Sequence, residues 1–327
     1  MFNQQHFCCY EELNVIYYIE FLTSYQLKMS IVPLPRKIAY QTFFNVSQVS
    51  EIQGVYQWHQ DLSAEAFLIL CDFEVIFRSR VHEAISQLYC TQGGNDWILN
   101  ASSRANLISQ LQSDMTTAQA NGNELYINHS NIGNYNLNSR FSLTKQDRVG
   151  FVKIIIDFLN RGKINFTHDD LISAVSFGFW VSLIKLIKNK RNGALIHSHL
   201  LAIFPYSNKA FDVNHIDGVL DTLYRIKSFR NRIGHHDSIM RIPEPNPGHL
   251  DFYPRNLIQM IKSLEILMKS LLELVRDIDP AYANTLENSK NWKSFFLLLK
   301  QNTYLIYKNN KGSLDCYVMA YISNLYS

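Results

Sequence analysis

The sequence predicts an all-α fold, and three observations carry that expectation. Alternating apolar and polar residues do not run for any useful length, so strands are not signalled. Apolar residues instead recur at spacings of three and four along extended stretches. Residues suited to helix caps, and charges suited to the helix dipole, flank several of those stretches.

The elements follow in chain order. Residues 1–50 read as an N-terminal helical extension, whose first 28 residues form an appendage; Met29 is a candidate internal start. That region is not a signal peptide, because it lacks a basic opening and Glu11, Glu12 and Glu20 interrupt its apolar residues. Glu51 to Tyr89 predicts one long helix, with Phe67, Leu70, Phe73, Phe77, Val81, Ile85 and Leu88 as its apolar stripe and Ser63 as a candidate cap. Thr91 to Arg140 is rich in asparagine, serine and glutamine, and reads as a partly ordered polar insertion with a short helix at "RANLISQLQSDM". Ser142 is a candidate cap for "SLTKQDRVGFVKIIIDFLN". "THDDLISAVSFGFWVSLIKLIKNKR" opens on Thr167 and two aspartates and ends on basic residues, which predicts a single helix. Within it, Leu171 to Ile184 is apolar but too short to span a membrane, so it is expected in the core. Residues 212–230 predict another helix, and 254–279 an amphipathic one with Pro254 at its start.

Composition limits the function classes. Apolar residues are 47% of the 327 and charged residues 18%, as in a globular chain with a sizeable core. The net charge is only +3, so affinity for nucleic acid has to come from a local patch. Five cysteines, with no CxxC spacing, argue against a disulfide framework or a zinc site and suit reduced thiols in a cytoplasm. The sequence holds no P-loop, no dinucleotide fingerprint, no HExxH and no GxSxG. No cofactor or metal is implied.

The densest chemistry lies in "FRNRIGHHDSI". Between Tyr224 and Arg241 stand Arg225, Lys227, Arg230, Arg232 and Arg241 against one acidic residue, Asp237. A guanidinium grips phosphate through a rigid fork, and an imidazole moves protons near neutral pH. Together they supply what metal-free RNA cleavage needs: a base for the 2′-OH, an acid for the leaving oxygen and a cation for the crowded phosphorane. Asn231 and His235 share a helical face, whereas Arg230 and His235 stand roughly 140° apart, so Gly234 is a place for the helix to loosen. Two further groups are candidates for RNA contact. Glu74, Arg78 and His82 form a polar stripe at spacing four, and Lys185, Lys188, Lys190 and Arg191 form a basic run. An ion pair within the helix and a solvated helix end are the plain readings of these two groups.

"RNRIGHHDSI" resembles the "RNRxxHHE" signature of Abi-like abortive-infection proteins of the AbiD/AbiF type, which belong to the HEPN superfamily. "YQWHQDLSAEAFLILCDFEVIFRSRVHEAI", "SFGFWVSLI", "FPYSN" and "IDPAY" match further stretches of that family in the same order, over about residues 35–292. Three positions depart from its pattern: His59 and Ser79 stand where asparagine is usual, and Asp237 where glutamate is usual. The resemblance implies a HEPN-type helical bundle over residues 51–292, with the polar insertion at about 91–140 and a C-terminal tail at 293–327. It implies a metal-independent endoribonuclease, acting as a bacterial cytoplasmic toxin in phage defence, with Arg230, Asn231 and His235 catalytic. RNA contacts are then expected from Arg225, Lys227, Arg232, His236, Arg78, His82, Lys188, Lys190 and Arg191. It further implies a homodimer, away from membranes, restrained in some relatives by a structured noncoding RNA. The competing reading is a non-catalytic RNA-binding or interaction module on the same scaffold. His235 separates the two, because a pure binder needs cations but no imidazole.

Overall fold

The computed structural model describes residues 34–91, 94–189, 193–243 and 252–310. The described residues form twelve α-helices and no strand: α1 Leu34–Phe44, α2 Val49–Tyr89, α3 Ala101–Ala120, α4 Lys145–Asn160, α5 His168–Ala174, α6 Phe177–Asn189, α7 Gly193–Ile203, α8 Val213–Gly234, α9 Leu257–Ile278, α10 Pro280–Asn288, α11 Lys290–Leu298 and α12 Gln301–Asn310. The fold is all-α, as the periodicity predicts. The appendage of the first 28 residues lies outside the described residues, as do Cys8, Cys9 and Cys316. Cys71 and Cys90 form no disulfide.

The chain divides into two compact units. The first gathers the residues up to Ile69, Phe229–Ile266 and Asn288 onward; the second gathers Leu70–Ser228 and Leu267–Glu287.

In the first unit, Asn45 takes a left-handed φ of 50° at the end of α1. The Glu51 carboxylate then accepts the free amides of Ser47 and Gln48 at the head of α2. Ser63 is therefore not a cap. It lies inside α2, and its hydroxyl donates back to the His59 carbonyl at 2.7 Å. The core is aromatic. Trp58 is fully buried, and its indole N–H donates to the Leu298 carbonyl at 2.8 Å. Its ring meets Phe44 and Tyr304 edge-on, while Phe44 and Tyr304 stack. The Tyr307 hydroxyl donates to Asp61 at 2.7 Å. Residues 290–310 are thus packed against α1 and α2.

The second unit is built on Phe73 and Phe77, which stack on each other and meet Phe177 edge-on. The asparagine-rich segment is more ordered than its composition predicts. It contains the 20-residue α3, capped by the Asn100 side chain. Beyond α3 the asparagine side chains replace missing backbone partners. Asn128 accepts the Ser130 amide, Asn131 accepts the Asn128 amide, and Asn136 accepts the Asn138 amide. Trp97, fully buried, anchors this segment against Phe141 and Phe179.

Three expected boundaries are corrected. The cap of α4 is Thr144, in a capping box with Asp147, rather than Ser142. The predicted single helix from Thr167 is two, α5 and α6, bent by 101°. Thr167 does cap α5 with Asp170, but Val175 is extended at φ −75°, ψ 144° and ends it. The helix expected from Pro254 starts at Leu257, where Asn256 accepts the Gln259 amide. No single helix among the described residues is long and apolar enough to cross a membrane, and Leu171, Trp180 and Ile184 are buried as a core reading requires.

Burial pushes the Asp61 carboxyl up to about 6, against the stabilising bond from Tyr307. A raised carboxyl favours the protonated fold, so this group's contribution declines as pH rises from about 4 to about 6. Asp61→Asn is expected to melt higher than the parent at pH 7, with the gain vanishing near pH 4. Thermal melts from pH 4 to 8 check this; an equal loss at every pH would contradict it.

Candidate functional site

The site is built on the last turn of α8, within the first unit. Hydrogen bonding stays helical past Gly234, with the His235 amide on the Asn231 carbonyl at 2.9 Å. The helix stays regular up to Gly234, its last residue, and ends there in a Schellman closure. The His236 amide reaches the Ile233 carbonyl at 2.9 Å, and the Asp237 amide reaches the Arg232 carbonyl at 2.7 Å. His236 occupies the left-handed position at φ 51°, where glycine is usual. His235, His236 and Asp237 are all exposed, and Arg230 and Asn231 are half-buried on the preceding turn.

The loop after the two histidines is held from both sides. Arg232 donates to the Asp237 carboxylate at 3.2 Å and to the Ser238 carbonyl at 3.0 Å. The Ser238 amide donates to the other Asp237 oxygen at 2.7 Å. Behind the loop, the Ile239 amide donates to Nε2 of His59 at 3.1 Å. His59 is 2% exposed, with Tyr40 edge-on to its ring at 5.5 Å. Burial, helped by the Arg36 cation and opposed by Asp237, pushes it down to about 3. The imidazole is therefore neutral, and because Nε2 accepts, its hydrogen sits on Nδ1. The resemblance marked His59 only as a departure. Its anchoring role was not read from the sequence, since nothing in a periodic pattern pairs residue 59 with residue 239.

The other predicted contacts are placed as follows. Arg225 is 8% exposed, which leaves little of it for a phosphate. The tip of Lys227 lies against Gly178, where an added Cβ would come within 3.3 Å of its Cε and Nζ. Lys188 pairs with Asp217. Lys190 and Arg191 lie outside the described residues. Arg78 donates to the Ser173 carbonyl at 3.4 Å, near the end of α5. His82 accepts the Trp97 indole N–H at 3.0 Å, and burial lowers its pKa.

His82, His168 and Asp169 also lie close enough together to share a cation. Nδ1 of His82 accepts from Trp97, and Nε2 of His168 accepts from the Ile98 amide at 3.3 Å. The remaining ring nitrogens therefore carry hydrogen and offer no lone pair to a metal in this arrangement.

A family model described as Abi-like protein matches residues 11–241, which is more than half of the chain and ends just past the double histidine. The chain belongs to the Abi-like protein family. Searches of curated proteins and of solved structures give no match. Membership points to a role in abortive infection, and α9 to α12 lie beyond the matched residues.

Replacing His59 by leucine removes the acceptor for a buried amide, a loss of about 1–3 kcal/mol. A histidine held below its ordinary pKa stabilises the fold above about pH 6.5, and that contribution is lost as pH falls toward 3. His59→Leu is expected to melt lower than the parent at pH 7, by an amount that shrinks on acidification. Melts of the two proteins side by side check this; a constant difference from pH 7 to pH 4 would contradict it.

Proposed function

We propose that the chain is a metal-independent endoribonuclease that acts as a toxin in phage defence. One observation carries this reading: a hydrogen-bonded turn fixes an exposed His235 one helical turn from Asn231, with Arg230 beside it in sequence. His235 serves as the proton-transfer group for the 2′-OH or the leaving 5′-oxygen. Arg230 steadies charge on the phosphorane, and Asn231 orients the phosphate through its amide. A HEPN-type bundle is the scaffold this chemistry implies.

One histidine cannot be base and acid at once, and Arg230 and His235 diverge around a helix that stays regular between them. A two-fold dimer that brings two such turns together supplies the second group. The amphipathic α8 and α9 are the helices best suited to the contact. A structured noncoding RNA that restrains the toxin would cover the same composite cleft. Such binding would weaken steeply with salt, because phosphate contacts release counterions.

Purified protein is expected to cleave RNA in EDTA and to leave a 2′,3′-cyclic phosphate, while a 2′-deoxy substitution at the cut site blocks cleavage. His235→Ala and Arg230→Ala should each abolish activity and toxicity on overexpression, with Arg230→Lys partly active because it keeps charge but loses the fork. Mixing the two inactive alanine variants should restore part of the activity. Full activity in His235→Ala would remove the catalytic assignment, and a fully active monomer would remove the shared site.

A further inference from the structure

A cleft of about 330 Å³ opens on the first unit beside the double histidine. One wall is the α2 face carrying Gln60, Ala64 and Phe67; the other is the turn carrying Gly234, His236 and Asp237. We propose that this cleft receives the nucleobase next to the cleaved phosphate, with guanine favoured over uracil. The proposal deepens the ribonuclease reading and rests on it.

The first support is the exposure of Phe67. By sequence it opens the apolar stripe of α2, and Leu70, Phe73, Phe77, Val81 and Ile85 of that stripe are all buried. Phe67 is 38% exposed. An aromatic ring left half in water on the wall of a concave site is a stacking platform for a base. Small residues leave the room that a flat ring needs. Ala64 is exposed, and a Cβ added at Gly234 would meet nothing within 4 Å.

The second support is the carboxylate of Asp237. Arg232 and the Ser238 amide each engage one of its oxygens, which fixes its orientation and leaves each oxygen a further lone pair. A carboxylate repels phosphate and accepts from amino and imino hydrogens. The cleft therefore selects a base edge rather than the backbone. Guanine presents an imino and an amino hydrogen side by side, matched to two carboxylate oxygens. Uracil presents one imino hydrogen between two carbonyl oxygens, which face the carboxylate unfavourably. Gln60 adds an amide able to donate to a base carbonyl or accept from an amino group.

The location ties the cleft to cleavage. His236 and Asp237, which line the cleft, follow His235 directly in the chain. His235 itself does not line it, so the ribose and phosphate of a seated base, rather than the base, would reach toward the proposed catalytic histidine. The His59 anchor keeps that wall from drifting.

Equilibrium dialysis of the full chain against guanosine and uridine 3′-monophosphates tests the assignment without requiring turnover. The parent is expected to bind the guanosine nucleotide at least about fivefold more tightly. Ala64→Trp sets an indole into the cleft from an exposed helical position and should weaken that binding by about tenfold. Phe67→Ala should weaken binding of both nucleotides, and Asp237→Asn should erase the preference between them. Unchanged melting of Ala64→Trp establishes that it folds. Equal binding by parent and Ala64→Trp, or no preference for guanosine, overturns the cleft assignment even if the parent cleaves RNA. Binding as expected by a chain that cleaves no RNA overturns the ribonuclease reading instead.

Discussion

The bond from the Ile239 amide to the buried imidazole of His59 is the constraint on which the candidate site depends. Leaving a helix exposes its last carbonyls, and the turn after α8 satisfies two of them through the amides of His236 and Asp237. That closure sets where the chain emerges but not where it goes next. The Ile239 amide then enters a buried environment where it needs an acceptor, and the neutral imidazole of His59 supplies it. Burial of His59 provides that neutrality. Arg232 completes the arrangement from the solvent side by holding both Asp237 and the Ser238 carbonyl. The exposed histidines thus project from a turn that is fixed at both ends.

This arrangement changes how the basic residues are understood. In sequence, the arginines and lysines around the motif look like one phosphate-binding patch. In the structure, Arg232 braces the loop, Arg225 is buried, Lys227 lies against Gly178 and Lys188 pairs with Asp217. Much of the local positive charge holds the protein together. Arg241 remains exposed at the far end of the turn. Under the proposed ribonuclease reading, specificity for RNA would then rest more on the shape and hydrogen bonding of the cleft than on bulk charge.

The sequence made some features legible and hid others for physical reasons. The helical class was readable because burial of one face imposes a three-to-four spacing, and the Thr167 cap was readable because its partner Asp170 is only three residues away. The motif was readable because all its members lie within one segment. The break at Val175 was not, since an extended valine inside an apolar run leaves no mark on periodicity. The order in the asparagine-rich segment was hidden because composition alone does not show that Asn128, Asn131 and Asn136 each close a turn on backbone amides. The exposure of Phe67 and the anchoring by His59 depend on contacts between distant segments, which one chain's pattern does not encode.

The central claim is that a neutral His59, with its hydrogen on Nδ1, holds the loop behind the double histidine. Nitrogen chemical shifts of the histidine rings, measured from pH 5 to 8 on ¹⁵N-labelled protein, test it directly. The account predicts that the ring signal lost in the His59→Asn spectrum is one fixed as the Nδ1–H tautomer across that range, with no titration. A His59 ring that titrates near pH 6.5, or that carries its hydrogen on Nε2, would contradict it.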